Sequence, residues 1–261
     1  MMRFKSLGSG SSGNATLVET KSGTHTTRLL IDCGLRLRDL DARLQEAGTQ
    51  ASELSAIFIT HEHGDHIGCA HSLVRRHPTP IWMSHGTWQA VHNATWESLR
   101  THVNVAKDGD VLAIGDLQAR PFTVPHDARE PLQLRCSNGD RQLGIVTDLG
   151  HVSSHVVQTL KGCHALLLEA NHDQDLLAQS AYPEFLKRRV SGPWGHLENA
   201  QAAQLLEKIQ HTDLHQVLAA HLSERNNTPT KAQTCLSKVR GCQPEEIEVA
   251  DPLAGSRWIT V

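Results

Sequence analysis

The segment Thr60-His61-Glu62-His63-Gly64-Asp65-His66 places three imidazoles and a carboxylate within six residues, directly after the apolar run Ala56-Ile57-Phe58-Ile59. His61 and His63 stand two apart, so on an extended segment both point the same way. A turn at Gly64 lets Asp65 and His66 point elsewhere, towards a second centre. Imidazole and carboxylate are ligands for zinc, manganese and iron alike. Four such groups are too many for one structural zinc that also draws on other segments. They suit two neighbouring metals that share a cluster. A polar loop merely rich in histidine would lack the hydrophobic strand before it and the helix after it.

The elements that must position these groups can be read around them. Arg3–Leu7 and Ala15–Glu19 read as strands, so the intervening Gly8-Ser9-Gly10-Ser11-Ser12-Gly13 is a Gly-rich turn rather than a flexible linker. Leu29–Asp32 and Ala56–Thr60 read as buried strands, and between them Leu40, Leu44 and Ala47 mark a helix stopped by Gly48. Short strand-like runs follow at Pro80–Met83, Val111–Ile114, Ala119–Val124 and Gly144–Thr147. A helix over Ser154–Leu160 precedes the strand Ala165–Leu168. Helices are expected at Asp175–Lys187 and Leu197–Ile209, then a strand at Gln216–Ala220. The polar run from Ser223 to Lys231 reads as a loop capped by Thr228 before another helix. Ile247–Ala250 and Trp258–Val261 return to strand. Strands ending in short polar loops, with helices interspersed, make an α/β or mixed layered architecture, and no linker or repeat divides residues 1–261 into more than one domain.

Composition narrows the function classes. Twenty-five Lys and Arg against 28 Asp and Glu leave a net charge of −3, which excludes a protein that grips nucleic acid by bulk charge alone. Aromatic residues are 4% of the chain, so stacking platforms for bases cannot be numerous. Histidine occurs 18 times, whereas the cysteines Cys33, Cys69, Cys136, Cys163, Cys235 and Cys242 form no C-x-x-C pair. If the protein holds metal, histidine and carboxylate hold it. No apolar run has the length of a membrane span and no signal-peptide core is visible, so the expected compartment is the cytoplasm.

His61-x-His63-x-Asp65-His66 resembles the signature of the metallo-β-lactamase superfamily, whose fold is a four-layer αβ/βα sandwich. The resemblance implies a single such domain over residues 1–261, with three further ligands, each at a strand's exit. His126 follows Phe122-Thr123-Val124-Pro125, Asp148 follows Ile145-Val146-Thr147, and His221 follows Val217-Leu218-Ala219-Ala220. On the superfamily pattern His61, His63 and His126 hold one divalent ion, Asp65, His66 and His221 hold a second, and Asp148 bridges them. Zinc or manganese is expected, and iron suits the same donors. Diiron redox members carry Glu where His63 stands, which favours a hydrolytic site here. True β-lactamases usually carry Cys in the place of Asp148 and lack the full second site. Glyoxalase and lactonase members keep the same ligands.

A narrower resemblance runs through nearly the whole chain. Ser6-Leu7-Gly8-Ser9-Gly10-Ser11-Ser12-Gly13-Asn14-Ala15, Leu30-Ile31-Asp32-Cys33-Gly34, Val124-Pro125-His126-Asp127-Ala128, Leu168-Glu169-Ala170-Asn171-His172-Asp173 and Gly195-His196-Leu197-Glu198-Asn199 look like the YycJ (WalJ) family. That family is regarded as DNA exonucleases working from the 5′ end, related to tRNase Z and to the PhnP phosphodiesterases. Glu198 departs from it, standing where Ser is expected. The resemblance implies a metal-dependent phosphodiesterase acting on DNA, with His196 as general acid or oxyanion donor beside Asp65 and Asp148. No obligate protein partner is evident. Asp32 is expected to orient a ligand imidazole through its N–H. His172 and Asp173 are candidates for the cleft lining or for a helix cap. Ser9, Ser11, Ser12 and Asn14 form a candidate phosphate cradle or a plain hairpin turn. Lys187-Arg188-Arg189 and Arg75-Arg76 are the notable basic clusters, as DNA contacts or solvated faces. Two other functions compete: hydrolysis of a small cyclic or nucleotide phosphodiester, and thioester or lactone hydrolysis, which would not need His196.

Overall fold

The strands of the computed structural model, which describes residues 1–261, fall into two seven-stranded sheets. The first contains β1 (Met2–Gly8), β2 (Ala15–Ser22), β3 (His25–Ile31), β4 (Ala56–Phe58), β5 (Ile81–Ser84) and β6 (Val103–Ala106), with the chain's last strand, β14 (Ile259–Thr260), on the edge beside β1. The second runs in sequence order from β7 (Leu112–Ile114) through β8 (Leu117–Thr123), β9 (Leu132–Ser137), β10 (Gln142–Val146), β11 (Ala165–Glu169) and β12 (Gln216–Ala220) to β13 (Glu248–Val249). In each sheet one half is antiparallel and the other parallel: β3 to β6 run parallel in the first, β10 to β13 in the second.

The alternation of side chains along a strand decides how these sheets stack. Leu29 and Ile31 of β3 meet Leu143 and Ile145 of β10 and Leu167 of β11 in a core between the sheets. The intervening Leu30 faces outward, against Leu40, Leu44 and Leu73 of the helices Leu37–Glu46 and Ala70–Arg76. Leu166 and Leu168 likewise face the outer helices Ser154–Leu160, Asn199–Ile209 and Pro229–Arg240. Three apolar layers thus separate four layers of backbone, the αβ/βα sandwich expected from the motif. Strands buried on both faces are why the parallel segments read as unbroken apolar runs.

Most predicted elements are present within a residue or two, including Thr228 as N-cap with Pro229 in the first turn. Two departures bear on the site. The helix predicted over Asp175–Lys187 is two, Gln174–Gln179 and Glu184–Val190, because Pro183 has no N–H to donate and disfavours helical backbone at Tyr182. β9 has no counterpart among the predicted strands, although Leu132, Leu134 and Cys136 alternate with Gln133 and Arg135. No helix is long and apolar enough to cross a membrane.

Candidate metal centre

The chemistry-bearing residues sit just past the C-terminal ends of strands, where parallel α/β sheets open their binding crevice. Asp32 follows β3, His61 follows β4 by three residues, His126 follows β8, Asp148 follows β10, Glu169 ends β11 and His221 follows β12. Register makes three of them neighbours: Val146 pairs with Leu168, and Leu168 with Ala219, so Asp148, Glu169 and His221 emerge side by side. Asp32, Asp148 and His221 are also the chain's non-glycine residues with positive φ, at 63°, 51° and 55°. Left-handed backbone costs an L-residue about 1 kcal/mol or more, and here it is confined to three strand exits around the cluster.

The expected ligands converge in two trios. Donor nitrogens of His61, His63 and His126 lie within reach of one another: His61 Nε2 is 3.0 Å and His126 Nε2 3.3 Å from His63 Nδ1. Donor atoms of Asp65, His66 and His221 form the second group. Asp148 stands between, its Oδ2 2.6 Å from His66 Nε2 and 3.9 Å from His61 Nε2.

Hydrogen bonds on the far side of the rings fix which nitrogens are bare. Gly195 O accepts from His126 Nδ1 at 3.0 Å, and a carbonyl can only accept, so Nε2 presents a lone pair. Asp32 Oδ2 likewise takes the Nδ1 proton of His66 at 2.8 Å, which leaves His66 Nε2 bare against Asp148 Oδ2. That contact lacks hydrogen-bond geometry: Asp148 Oδ2 and His221 Nε2 are buried polar atoms without a hydrogen-bond partner. Buried donor atoms brought this close together are an arrangement that a shared cation would satisfy. Burial, reinforced by the surrounding imidazoles, holds His61 well below its usual pKa, and burial lowers His126 too. For His66 and His221 burial is outweighed by the neighbouring carboxylates, which raise His66 and lift His221 to about 9, so a metal there would displace protons. Neutral imidazoles and carboxylates are the donor set of zinc, manganese or iron, so the residues fit two divalent ions.

A supporting layer fixes these groups. Thr60 donates to Asp32 Oδ1 from both its N–H (2.8 Å) and its hydroxyl (3.0 Å). Asn14 Nδ2 reaches Asp65 O (3.2 Å) and Asp65 Oδ2 (3.4 Å), while Ser9 Oγ accepts the His221 N–H at 2.7 Å. Gly34 is required by proximity: a Cβ there would lie 1.7 Å from Asp65 O.

Glu169 is the residue that sequence reasoning left unassigned. It is fully buried and accepts from the N–H groups of Asp148 (3.2 Å), Leu149 (2.8 Å) and Leu197 (3.0 Å), tying together the loops that carry Asp148 and His196. Its Oε1 also lies 2.8 Å from His196 Nδ1, and Asp148 Oδ1 is 3.1 Å from the same nitrogen. Burial alone would lower His196, but the Glu169 and Asp148 carboxylates outweigh it and lift the imidazole to about 10. Glu169 in turn, raised by burial but lowered more by His196, falls to about 2. The signal was available: a carboxylate ends the apolar run Ala165–Leu168, as His126, Asp148 and His221 follow theirs.

A cleft of about 390 Å³ opens over this centre, lined by Asp65, His126, Asp148, His196 and His221, with Ser11 from the Gly-Ser turn. Tyr182, Leu186 and Arg189 form its outer wall, and Asp127 is held there by Arg189 Nε at 2.6 Å. Of the candidate cradle residues only Ser11 lines the cleft; Ser9 and Asn14 are buried and used within the chain, and Ser12 Oγ donates to Glu224. His172 is buried and faces a separate cavity on the other side of the helix Glu184–Val190, while Asp173 caps the helix Gln174–Gln179 by accepting from Leu176 N–H. A larger cavity of about 750 Å³, rimmed by Glu245, Glu246 and Glu248, holds none of these groups.

The fold and the two trios define a metallo-β-lactamase-type hydrolase, and comparison agrees: the family described as "Beta-lactamase superfamily domain" matches residues 27–221, and the chain belongs to that superfamily. It is 33% identical over 238 residues to Exodeoxyribonuclease YycJ of Bacillus anthracis, covering 91% of this chain and 89% of that protein. It is 32% identical over 229 residues to Exodeoxyribonuclease WalJ of Streptococcus pneumoniae, covering 86% of this chain and 83% of that one. Zn²⁺-bound PqqB from Methylobacterium extorquens shares the fold over 100% of both chains, with a TM-score of 0.74 at 14% identity.

Proposed function

We propose that this hydrolase cleaves phosphodiester bonds and that its substrate is DNA, degraded exonucleolytically from the 5′ end. The observation that carries the reading is the placement of Asp148 between two nitrogen-rich trios at the floor of an open cleft, with His196 facing them from another loop. His61, His63 and His126 would hold one divalent ion, Asp65, His66 and His221 another, and Asp148 both. When bound, such ions supply water of lowered pKa and positive charge against phosphate oxygens. The chain's own groups do the rest. Asp32 keeps the His66 ring oriented through Nδ1, and the Gly195 carbonyl does so for His126. Glu169 anchors His196 through Nδ1, so that Nε2, which makes no hydrogen bond within the chain, is free to place a proton on the departing oxygen. His196 thereby has a task in phosphodiester cleavage that lactone or thioester hydrolysis does not demand.

DNA as the substrate is supported by the relatives named exodeoxyribonuclease. The same reading places the protein in the cytoplasm, with its substrate. The test follows 5′- and 3′-labelled single-stranded and duplex DNA on a gel, using protein stripped and reloaded with Mn²⁺ or Zn²⁺ and Asp148→Ala as the blank. Metal-dependent release of nucleotides from the 5′ end, absent in the blank, is expected. Intact DNA alongside metal-dependent cleavage of bis(p-nitrophenyl) phosphate would keep the catalytic centre and move the substrate to a small phosphodiester.

A further inference from the structure

Aromatic side chains are scarce in this protein, and their distribution is uneven. Phe4, Phe58 and Phe122 are buried in the cores, and Trp82, Trp88, Trp96 and Trp258 are buried or half-buried. The exposed aromatics are Phe185, at 70%, and Trp194, at 58%, and both lie on the segment that walls the cleft. The chain's single tyrosine, Tyr182, lies on that segment as well and lines the cleft directly. Tyr182, Leu186 and Arg189 recur at helical spacing along this wall, and Phe185 stands four residues before Arg189, its neighbour on the helix surface. Trp194 borders the cleft from the other end, its carbonyl accepting the Asp127 N–H at 2.9 Å just before Gly195 and His196.

The same stretch is basic in a chain of net charge −3. Lys187 is occupied by Ala178 O and Glu184, and Arg188 faces the cavity on the far side of the helix, whereas Arg189 lines the cleft and pairs there with Asp127. Exposed rings beside a guanidinium group, continuous with a phosphodiester-cleaving centre, are a combination that holds single-stranded nucleic acid: bases stack on the rings and a phosphate pairs with the cation. The Trp194 ring stands edge-on to His151 at 6.3 Å, and a small phosphodiester confined to the cleft would reach neither that ring nor Phe185.

We infer that the segment Tyr182–Trp194 is the binding element for a single-stranded DNA end, with Tyr182 and Arg189 taking the nucleotide at the cleaved bond and Phe185 and Trp194 taking bases beyond it. This rests on the DNA reading above. Arg189 leaves Asp127 for a phosphate when the strand enters.

The experiment measures fluorescence anisotropy of a short fluorescein-labelled phosphorothioate oligo(dT), which resists cleavage, with metal-loaded protein, and in parallel the metal-dependent degradation of the unmodified strand. The variants are Phe185→Ala/Trp194→Ala, Arg189→Gln and, as a control, Leu253→Ala, an exposed apolar residue away from the cleft. The aromatic pair is expected to weaken binding about tenfold or more, with the kinetic loss falling in KM. Arg189→Gln is expected to lower the salt dependence of binding by about one phosphate contact. Both sites are exposed, so circular dichroism should show an intact fold. Parent-like affinity and KM in both variants, with the parent still degrading DNA, would overturn this inference alone. A parent that degrades duplex DNA but neither binds nor degrades this strand would overturn this inference alone; one that degrades neither would overturn the DNA reading, and this inference with it.

Discussion

Glu169 Oε1 lies 2.8 Å from His196 Nδ1, and the same buried carboxylate holds the backbone N–H groups of Asp148, Leu149 and Leu197. One side chain therefore ties the loop that carries Asp148 to the loop that carries His196. Its charge, with that of Asp148, also keeps His196 protonated, so that Nε2 carries a proton on the side facing the cleft.

Glu169→Gln retains the shape and loses the charge. A hydrogen bond to a charged group is worth about 1.5–3 kcal/mol, so kcat is expected to fall about tenfold to a hundredfold with KM nearly unchanged. Steady-state kinetics on bis(p-nitrophenyl) phosphate and on labelled DNA decide it. An unchanged kcat would mean that Glu169 only braces the loops.

Asp32→Asn leaves one acceptor oxygen where Thr60 and the His66 Nδ1–H now use two; with that oxygen kept on the Thr60 N–H, an amide NH₂ faces His66. Metal affinity at the Asp65–His66–His221 trio is expected to drop about tenfold to a hundredfold, with the His61–His63–His126 trio retaining its ion. Titration with Mn²⁺ or Zn²⁺ by calorimetry should resolve a weakened second site. Two unaltered binding events would sink the assignment.

Metal removal should cost stability as well as activity, because the ligand lone pairs are packed together in a buried centre. Protein reloaded with metal is expected to hold two ions per chain by elemental analysis and to melt several degrees above the stripped form. Asp148→Ala, which lacks the shared carboxylate, should hold fewer ions and show a smaller rise. Equal melting temperatures with and without metal would count against a built metal centre.

His172 carries a pH signature of its own. Burial lowers its pKa to about 4, so the folded chain binds fewer protons there than the unfolded chain, whose histidine titrates near 6.5. Its contribution therefore favours unfolding as pH falls through about 6.5 and levels off below about 4. The total penalty is up to roughly 3 kcal/mol by the size of the shift. Replacing it by Gln should flatten the fall in stability over that window, measured by urea denaturation at a series of pH values. Parallel pH profiles for the two proteins would refute it.

The sequence by itself determined the metal motif, the strand exits that carry His126, Asp148 and His221, and most of the elements, because each is a local pattern. An apolar run followed by a polar ligand is visible in the chain wherever it occurs, and the turn at Gly64 follows from one residue. That Asp32 orients a ligand imidazole was expected from its place after an apolar run; that the ring is His66 came from the structure. Only the tertiary structure decided what depends on residues distant in the chain. Glu169 reads locally as the end of an apolar strand; it becomes the hub of the site because the parallel register of β10, β11 and β12 sets it beside Asp148 and His221. Ser9 and Asn14 read as part of a phosphate cradle or a plain hairpin turn, yet packing of the Gly-Ser turn against Asp65 and His221 buries them and engages their polar atoms. Pro183 divides one predicted helix into two, and that break turns Tyr182, Leu186 and Arg189 into a wall of the cleft. Backbone preference acts over a few residues and can be read in order. Burial and charge pairing act through space, and the fold sets them.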